Sequence, residues 1–170
     1  VYIDTRAAVY DATKLLIGKG CRQIAFISAM SASQTDRYGG YQRALEESGI
    51  ALDESIVYRE HYSAETGFRG AEAILKEHKV DGIVCGNDLI AAGAMQAIRQ
   101  KGLTIPGDIR IVGVDNIYFS RFLYPPLTTI EQPAYEMGMA AAHMLINNIL
   151  YGEPMFEQKL DYKLILRETV

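Results

Sequence analysis

Arg37, Asn87 and Asp115 each follow an apolar run by a few residues, and together they offer a guanidinium, an amide and a carboxylate. That set suits hydroxyl pairs or a carboxylate on a small ligand, because the guanidinium presents several donors in one plane while amide and carboxylate oxygens accept. Arg37 falls in the first turn of a predicted helix, where a cation opposes the macrodipole, so helix stability does not explain its position. A surface salt bridge is the plain alternative. In the run Gly86-Asn87-Asp88, one polar residue is expected to cap the following helix, which leaves its neighbour free to face a ligand. Asp115-Asn116 repeats a carboxylate beside an amide. Tyr62, in a loop before a helix, offers a flat apolar face to a sugar or base ring; otherwise it is a half-buried loop aromatic.

Catalytic patterns are missing around these residues. The sequence has no Gly-rich loop with Lys and Ser or Thr for phosphate, no G-x-S-x-G elbow and no H-E-x-x-H. His61, His78 and His143 lie in unrelated segments and read as surface or packing residues. Hydrogen-bonding side chains without a nucleophile paired to a base describe a binding site rather than an active site, so neither catalysis nor a cofactor nor a metal is expected.

The elements that must position these residues alternate along the chain. Strands are predicted over 1–3, 23–28, 56–60, 81–85 and 108–114, and helices over 6–18 (with Thr5 as a cap), 36–48, 64–78 and 89–101. Gly49 and Gly102 close the second and fourth of these helices. Apolar strands separated by helices imply a parallel sheet covered by helices on both faces, with ligands at the carboxyl ends of the strands. Past residue 114 the rhythm changes: a rigid Tyr124-Pro125-Pro126 turn, a short strand over 127–130, a helix over 133–151, a Gly152–Pro154 turn and a last strand over 159–167. The 133–151 helix is apolar on nearly every side, so more than one neighbour has to cover it.

With 49% hydrophobic and 22% charged residues, the composition is that of an ordinary globular domain. Its net charge of -4 and the lack of any dense basic block give no footprint for nucleic acid within these residues. Cys21 and Cys85, far apart and without metal-ligand spacing, are expected to be buried free thiols. No run reaches the length of a membrane span and no signal peptide is visible, which points to the cytoplasm, although the chain begins abruptly inside a strand.

Six segments in order resemble the LacI/GalR family of transcription regulators: G-x-x-x-I-A-F-I over 20–27, R-Y-G-G-Y over 37–41, C-G-N-D-L-I-A-A-G over 85–93, I-P-G-D-I-R-I-V-G-V-D-N over 105–116, P-P-L-T-T-I-E-Q-P over 125–133 and L-I-L-R-E-T over 164–169. The resemblance covers essentially the whole chain. It implies a type I periplasmic-binding-protein-like fold, with residues 1–126 as the C-terminal lobe, 127–157 as a crossover strand and helix of the N-terminal lobe, and 158–170 as a final strand returning to the C-terminal lobe. Helix-turn-helix head, hinge and most of the N-terminal lobe would lie outside these residues. It also implies that Arg37, Asn87 and Asp115 contact an effector, that Tyr62 stacks on it, and that Ser33 supplies a hydroxyl. Cys21 stands where the family usually has His, and Val114 where an aromatic is common, which puts ring-specific contacts there in doubt.

The function so implied is an effector sensor that modulates the operator affinity of an attached DNA-binding head. The expected effector is a sugar or sugar phosphate, with a purine or a corepressor protein as further choices. A homodimer, no membrane contact, and DNA binding solely through the head complete the expectation. The rival from another class is an extracytoplasmic solute-binding protein of a sugar transporter, which shares the fold; an α/β enzyme is the third.

Overall fold

Alternation within each apolar run decides where the core forms. In β2 (Ile24–Ala29), Ile24 and Phe26 face one side of the sheet while Ala25 and Ile27 face the other, and all are buried. In β4 (Gly82–Cys85), Val84 joins Ile24 and Phe26, while Ile83 and Cys85 join Ala25 and Ile27. Such strands need cover on both faces. The computed structural model describes residues 1–30 and 34–170, with their side chains except those of Gln34 and Thr35.

With β3 (Val57–Glu60), β5 (Arg110–Asp115), β6 (Thr128–Glu131) and β8 (Lys163–Ile165), these strands form a six-stranded sheet in the order β3-β2-β4-β5-β6-β8. The first five are parallel, and β8 runs antiparallel to β6. Helices α1 (Thr5–Gly18) and α2 (Gln34–Glu46) pack together on one face, α3 (Ala64–Glu77) and α4 (Asp88–Gln100) on the other. The fold is thus the α/β class expected, a mainly parallel sheet with helices on both faces. Strand β2 has β3 on one side and β4 on the other, so the chain leaves their carboxyl ends in opposite directions. Ligand crevices open at such a switch point.

Three local details differ from the sequence reading. The cap of α1 is Asp4, whose Oδ1 accepts the Ala7 N–H at 2.9 Å, rather than Thr5. The last strand is two pieces: β7 (Lys159–Leu160) pairs with β1 (Tyr2–Ile3) in a separate two-stranded sheet, and β8 begins after Asp161 and Tyr162. Finally, the strand at the head of residues 127–157 does not stand apart from residues 1–126. It is β6, paired with β5 from Val112↔Thr128 to Asp115↔Glu131, and Thr128, Thr129 and Ile130 are fully buried there. Threonine suits a pleated strand, and its hydroxyls find partners in the sheet's own loops, so burial leaves no unpaired polar group.

What lies off the sheet is α5 (Ala134–Tyr151), which ends on Gly152 in the left-handed conformation. No residue of α5 is buried, and Leu145, Ile149 and Leu150 are 52%, 69% and 65% exposed. Among the described residues no helix is long and apolar enough to cross a membrane. Cys21 and Cys85 are free and buried.

Candidate functional site

The carboxyl ends of β2, β4, β5 and β6 carry the candidate residues, and the geometry centres on Arg37. From the first turn of α2 its side chain enters the crevice between β2 and β4 and is 9% exposed. Its Nη1 donates to the carbonyl of Gly86 at the end of β4, and its Nη2 stands 4.0 Å from the Asp115 carboxylate at the end of β5. The guanidinium carbon lies 5.4 Å from the centre of the Tyr62 ring. Arg37 from α2, Asp115 from the end of β5 and Tyr62 from the loop before α3 therefore come to one place. Among the described residues, Arg37 Nε has no hydrogen-bond partner although it is buried.

Gly86 lets the backbones of β2 and β4 close up at this point. A Cβ there would sit 2.1 Å from Ser28 Oγ, itself buried and unpartnered among the described residues. Next in sequence, Asn87 caps α4: its Oδ1 accepts the Ile90 N–H at 2.9 Å, in extended backbone conformation. Of the Asn87-Asp88 pair, then, the amide is the cap. Its NH2 group donates to no described residue, so it keeps donors for a ligand while remaining only 8% exposed. Asp88 is fully buried and turned away, with Oδ1 accepting from Thr129 Oγ1 at 2.5 Å and Oδ2 from the Ile117 N–H at 2.9 Å. Burial pushes its carboxyl up to about 6, against the opposing effect of those hydrogen bonds.

Asp115 and Asn116 have φ of 108° and 50°, in the left-handed half of the map that residues with a Cβ avoid. Two such residues in succession turn the chain sharply at the end of β5 and present the Asp115 carboxylate to Arg37. Burial raises the Asp115 carboxyl above the usual range, while Arg37 and the amide of Gln132 draw it back down. Asp115 and Gln132 also line an open cavity of about 790 Å³ between the end of β5 and the start of α5.

Of the candidates expected from the sequence, the fold places Asp115 and Tyr62 against Arg37, and Asn87 next to the Gly86 that Arg37 binds. Ser33 lies outside the described residues. The sequence reading does not single out Gln132, which donates to Asp115; its position directly after β6 is the same signal that marks the others, hidden because the resemblance assigns that strand to the other lobe.

The chain matches the sequence profile of the periplasmic binding protein-like domain over residues 13–170. The HTH-type transcriptional regulator RegA of Clostridium saccharobutylicum is 37% identical over 176 residues, covering 99% of this chain and 52% of that protein. The crystal structure of the transcription regulator CcpA of Lactococcus lactis superposes with a TM-score of 0.90 at 34% identity, covering 99% of this chain and 63% of that one. A LacI family transcriptional regulator from Enterococcus faecium, solved with bound ribose, gives 0.91 at 28% identity, over 98% of this chain and 63% of that one. This chain spans about half the length of the curated relatives it matches. It belongs to the periplasmic binding protein-like domain family, in the form carried by LacI/GalR transcription regulators.

Proposed function

We propose that this chain is the effector-sensing domain of a DNA-binding repressor and takes a sugar-like small molecule at the carboxyl ends of β2, β4 and β5. The observation that carries this reading is the convergence of Arg37 on Gly86, Asp115 and Tyr62, with the Arg37 Nε and the Asn87 amide still unpaired among the described residues. A fork of donors, a carboxylate acceptor and an aromatic face match the alternating hydroxyls and apolar face of a sugar ring. Arg37 and Asp115 balance in charge, and the carboxylate repels an anion, which favours a neutral sugar over a sugar phosphate. The ribose held by the Enterococcus faecium regulator agrees with that choice. Similarity to regulators favours a cytoplasmic sensor over the transporter-linked solute-binding protein, and among the described residues of the site no nucleophile is paired with a base.

Operator binding would belong to residues outside this chain, whose net charge of -4 gives no counterion release. The sensor acts on such a head if the sugar binds one lobe arrangement better than the other. Titration calorimetry of the full-length protein against a panel of pentoses, hexoses and disaccharides tests the reading. Arg37→Ala is expected to weaken the sugar that binds by about 1.5–3 kcal/mol, the scale of hydrogen bonds to a charged group. An unchanged affinity would reject the site.

A homodimer completes the proposal. Tyr118, Phe119, Phe122 and Tyr124, within one short segment after β5, stand 64–79% exposed, and Tyr124 lines a cavity with Met95 and Gln96 of α4. Exposed apolar patches of this kind are resolved by association, and α5 adds a second one. The 170-residue chain is expected to sediment as a dimer or larger at tens of micromolar; a single monomeric boundary would count against it.

A further inference from the structure

Asp88 opens the helix that Asn87 already caps, yet neither of its carboxylate oxygens serves that helix. Both reach across the end of β5 instead. Oδ2 holds the N–H of Ile117, and Oδ1 holds the hydroxyl of Thr129 on β6, whose Oγ1 in turn accepts the N–H of Asn116 at 3.3 Å. The chain makes room for this reach at Gly113, where a Cβ would lie 2.2 Å from Asp88 Oδ1. The segment held is the strained one: Asp115 and Asn116, at φ 108° and 50°, immediately precede Ile117. Conformations of that kind persist where the surroundings over-determine them. Arg167 Nη2 also donates to Asn116 Oδ1 at 2.6 Å, so Asn116 is held through its side chain as well as its backbone.

We infer that Asp88 is a positioning residue of the ligand cleft, which never touches the ligand but holds the Asp115–Asn116 turn in the conformation that presents the Asp115 carboxylate to Arg37. The part of this inference that concerns affinity rests on the sugar-sensor reading; the part that concerns the turn does not. A mere helix-start carboxylate would stabilise α4 and leave residues 115–117 indifferent to it.

Hydrogen–deuterium exchange of the full-length protein separates the two, because it reads local opening amide by amide. In Asp88→Ala the Asn116 and Ile117 amides are expected to exchange at least about tenfold faster, the equivalent of one lost hydrogen bond, with Ile90 and Ala91 in the first turn of α4 unchanged. Asp88→Asn, whose amide can accept from Ile117 and donate to Thr129, is expected to restore protection. If Asp88→Ala does not fold, Thr129→Val removes the other anchor and is expected to speed exchange at Asn116. Equal acceleration at Ile90 and Ile117, or unchanged exchange at Asn116 and Ile117 in the variants that fold, overturns the inference. Binding of D-ribose should fall about tenfold in Asp88→Ala and recover in Asp88→Asn. Unaltered ribose affinity in a variant with accelerated exchange overturns the affinity part. A wild type that binds no sugar defeats the sensor reading, while the exchange result still decides the turn.

Discussion

Gly93→Ala is expected to destabilise the chain by about 3 kcal/mol, the upper end of what overpacking a close-packed site costs. Helices α3 and α4 cross on one face of the sheet with their backbones in contact. A Cβ on Gly93 would stand 1.7 Å from the carbonyl oxygen of Ala64 and 2.8 Å from the Phe68 nitrogen. The contact is reciprocal, since a Cβ on Gly67 would stand 1.9 Å from the Ile90 carbonyl oxygen. Both obstacles are main chain, so no side chain can swing aside and the helices themselves must part. Parting them opens the packing among Ala71, Ile74, Ile90 and Ala94, all buried in the core on that face. Alanine's better helix propensity returns about 1 kcal/mol at most. Urea denaturation checks the loss, and Gly138→Ala is the control: nothing lies within 4 Å of a Cβ at that α5 position, so a small gain is expected. A Gly93→Ala variant as stable as the parent would mean that the two helices pack less closely than the structure has them. Because α4 begins with Asn87 and Asp88, the same displacement should also disturb the cleft.

Most of the architecture is legible because single residue types dominate locally. Runs such as Q-I-A-F-I-S over 23–28 are too short for a helix and rich in β-branched and aromatic residues, which marks a strand buried on two faces, and Gly49, Gly102 and Gly152 take the left-handed backbone that ends helices. The candidate residues follow from one topological rule, that the carboxyl ends of parallel strands converge. The rule points to Arg37, Asn87 and Asp115, which the fold sets near one another, and does not point to Gln132, because the sequence reading assigns its strand to the other lobe. Nothing local in L-T-T-I says which sheet it joins; that is settled by pairing with β5, from Val112↔Thr128 to Asp115↔Glu131. The roles within Asn87-Asp88 were equally hidden. Either residue can cap a helix, and the choice depends on Thr129 and Ile117, more than two dozen residues away in sequence.

Buried charge at Asp88 should leave a mark on stability that a single substitution can isolate. The folded carboxyl titrates at about 6 against an ordinary 3.8, chiefly because burial disfavours the charged form. Between those values the folded protein retains a proton that the unfolded chain has released. Stability from this group is therefore full below about pH 4 and declines as pH rises through about 6. At 1.36 kcal/mol for each pH unit of separation, the decline approaches about 3 kcal/mol by neutral pH. Asp115 and Arg167 face the same carboxylate, the first raising its titration point and the second lowering it, and both remain in place in the variant. The exposed carboxylates of Glu47, Asp53 and Asp108 are held below their ordinary range by hydrogen bonds and act with the opposite sign at lower pH. They are common to the parent and to Asp88→Asn, so the difference between the two proteins cancels them. Asp88→Asn keeps the shape and an acceptor for Ile117 without the charge. Its stability relative to the parent is expected to climb by about 3 kcal/mol from pH 4 to pH 7 in urea denaturation series, with most of the change between pH 4 and 6. A difference that stays flat across that range would place the Asp88 carboxylate in a more hydrated setting than the sheet end between Thr129 and Ile117.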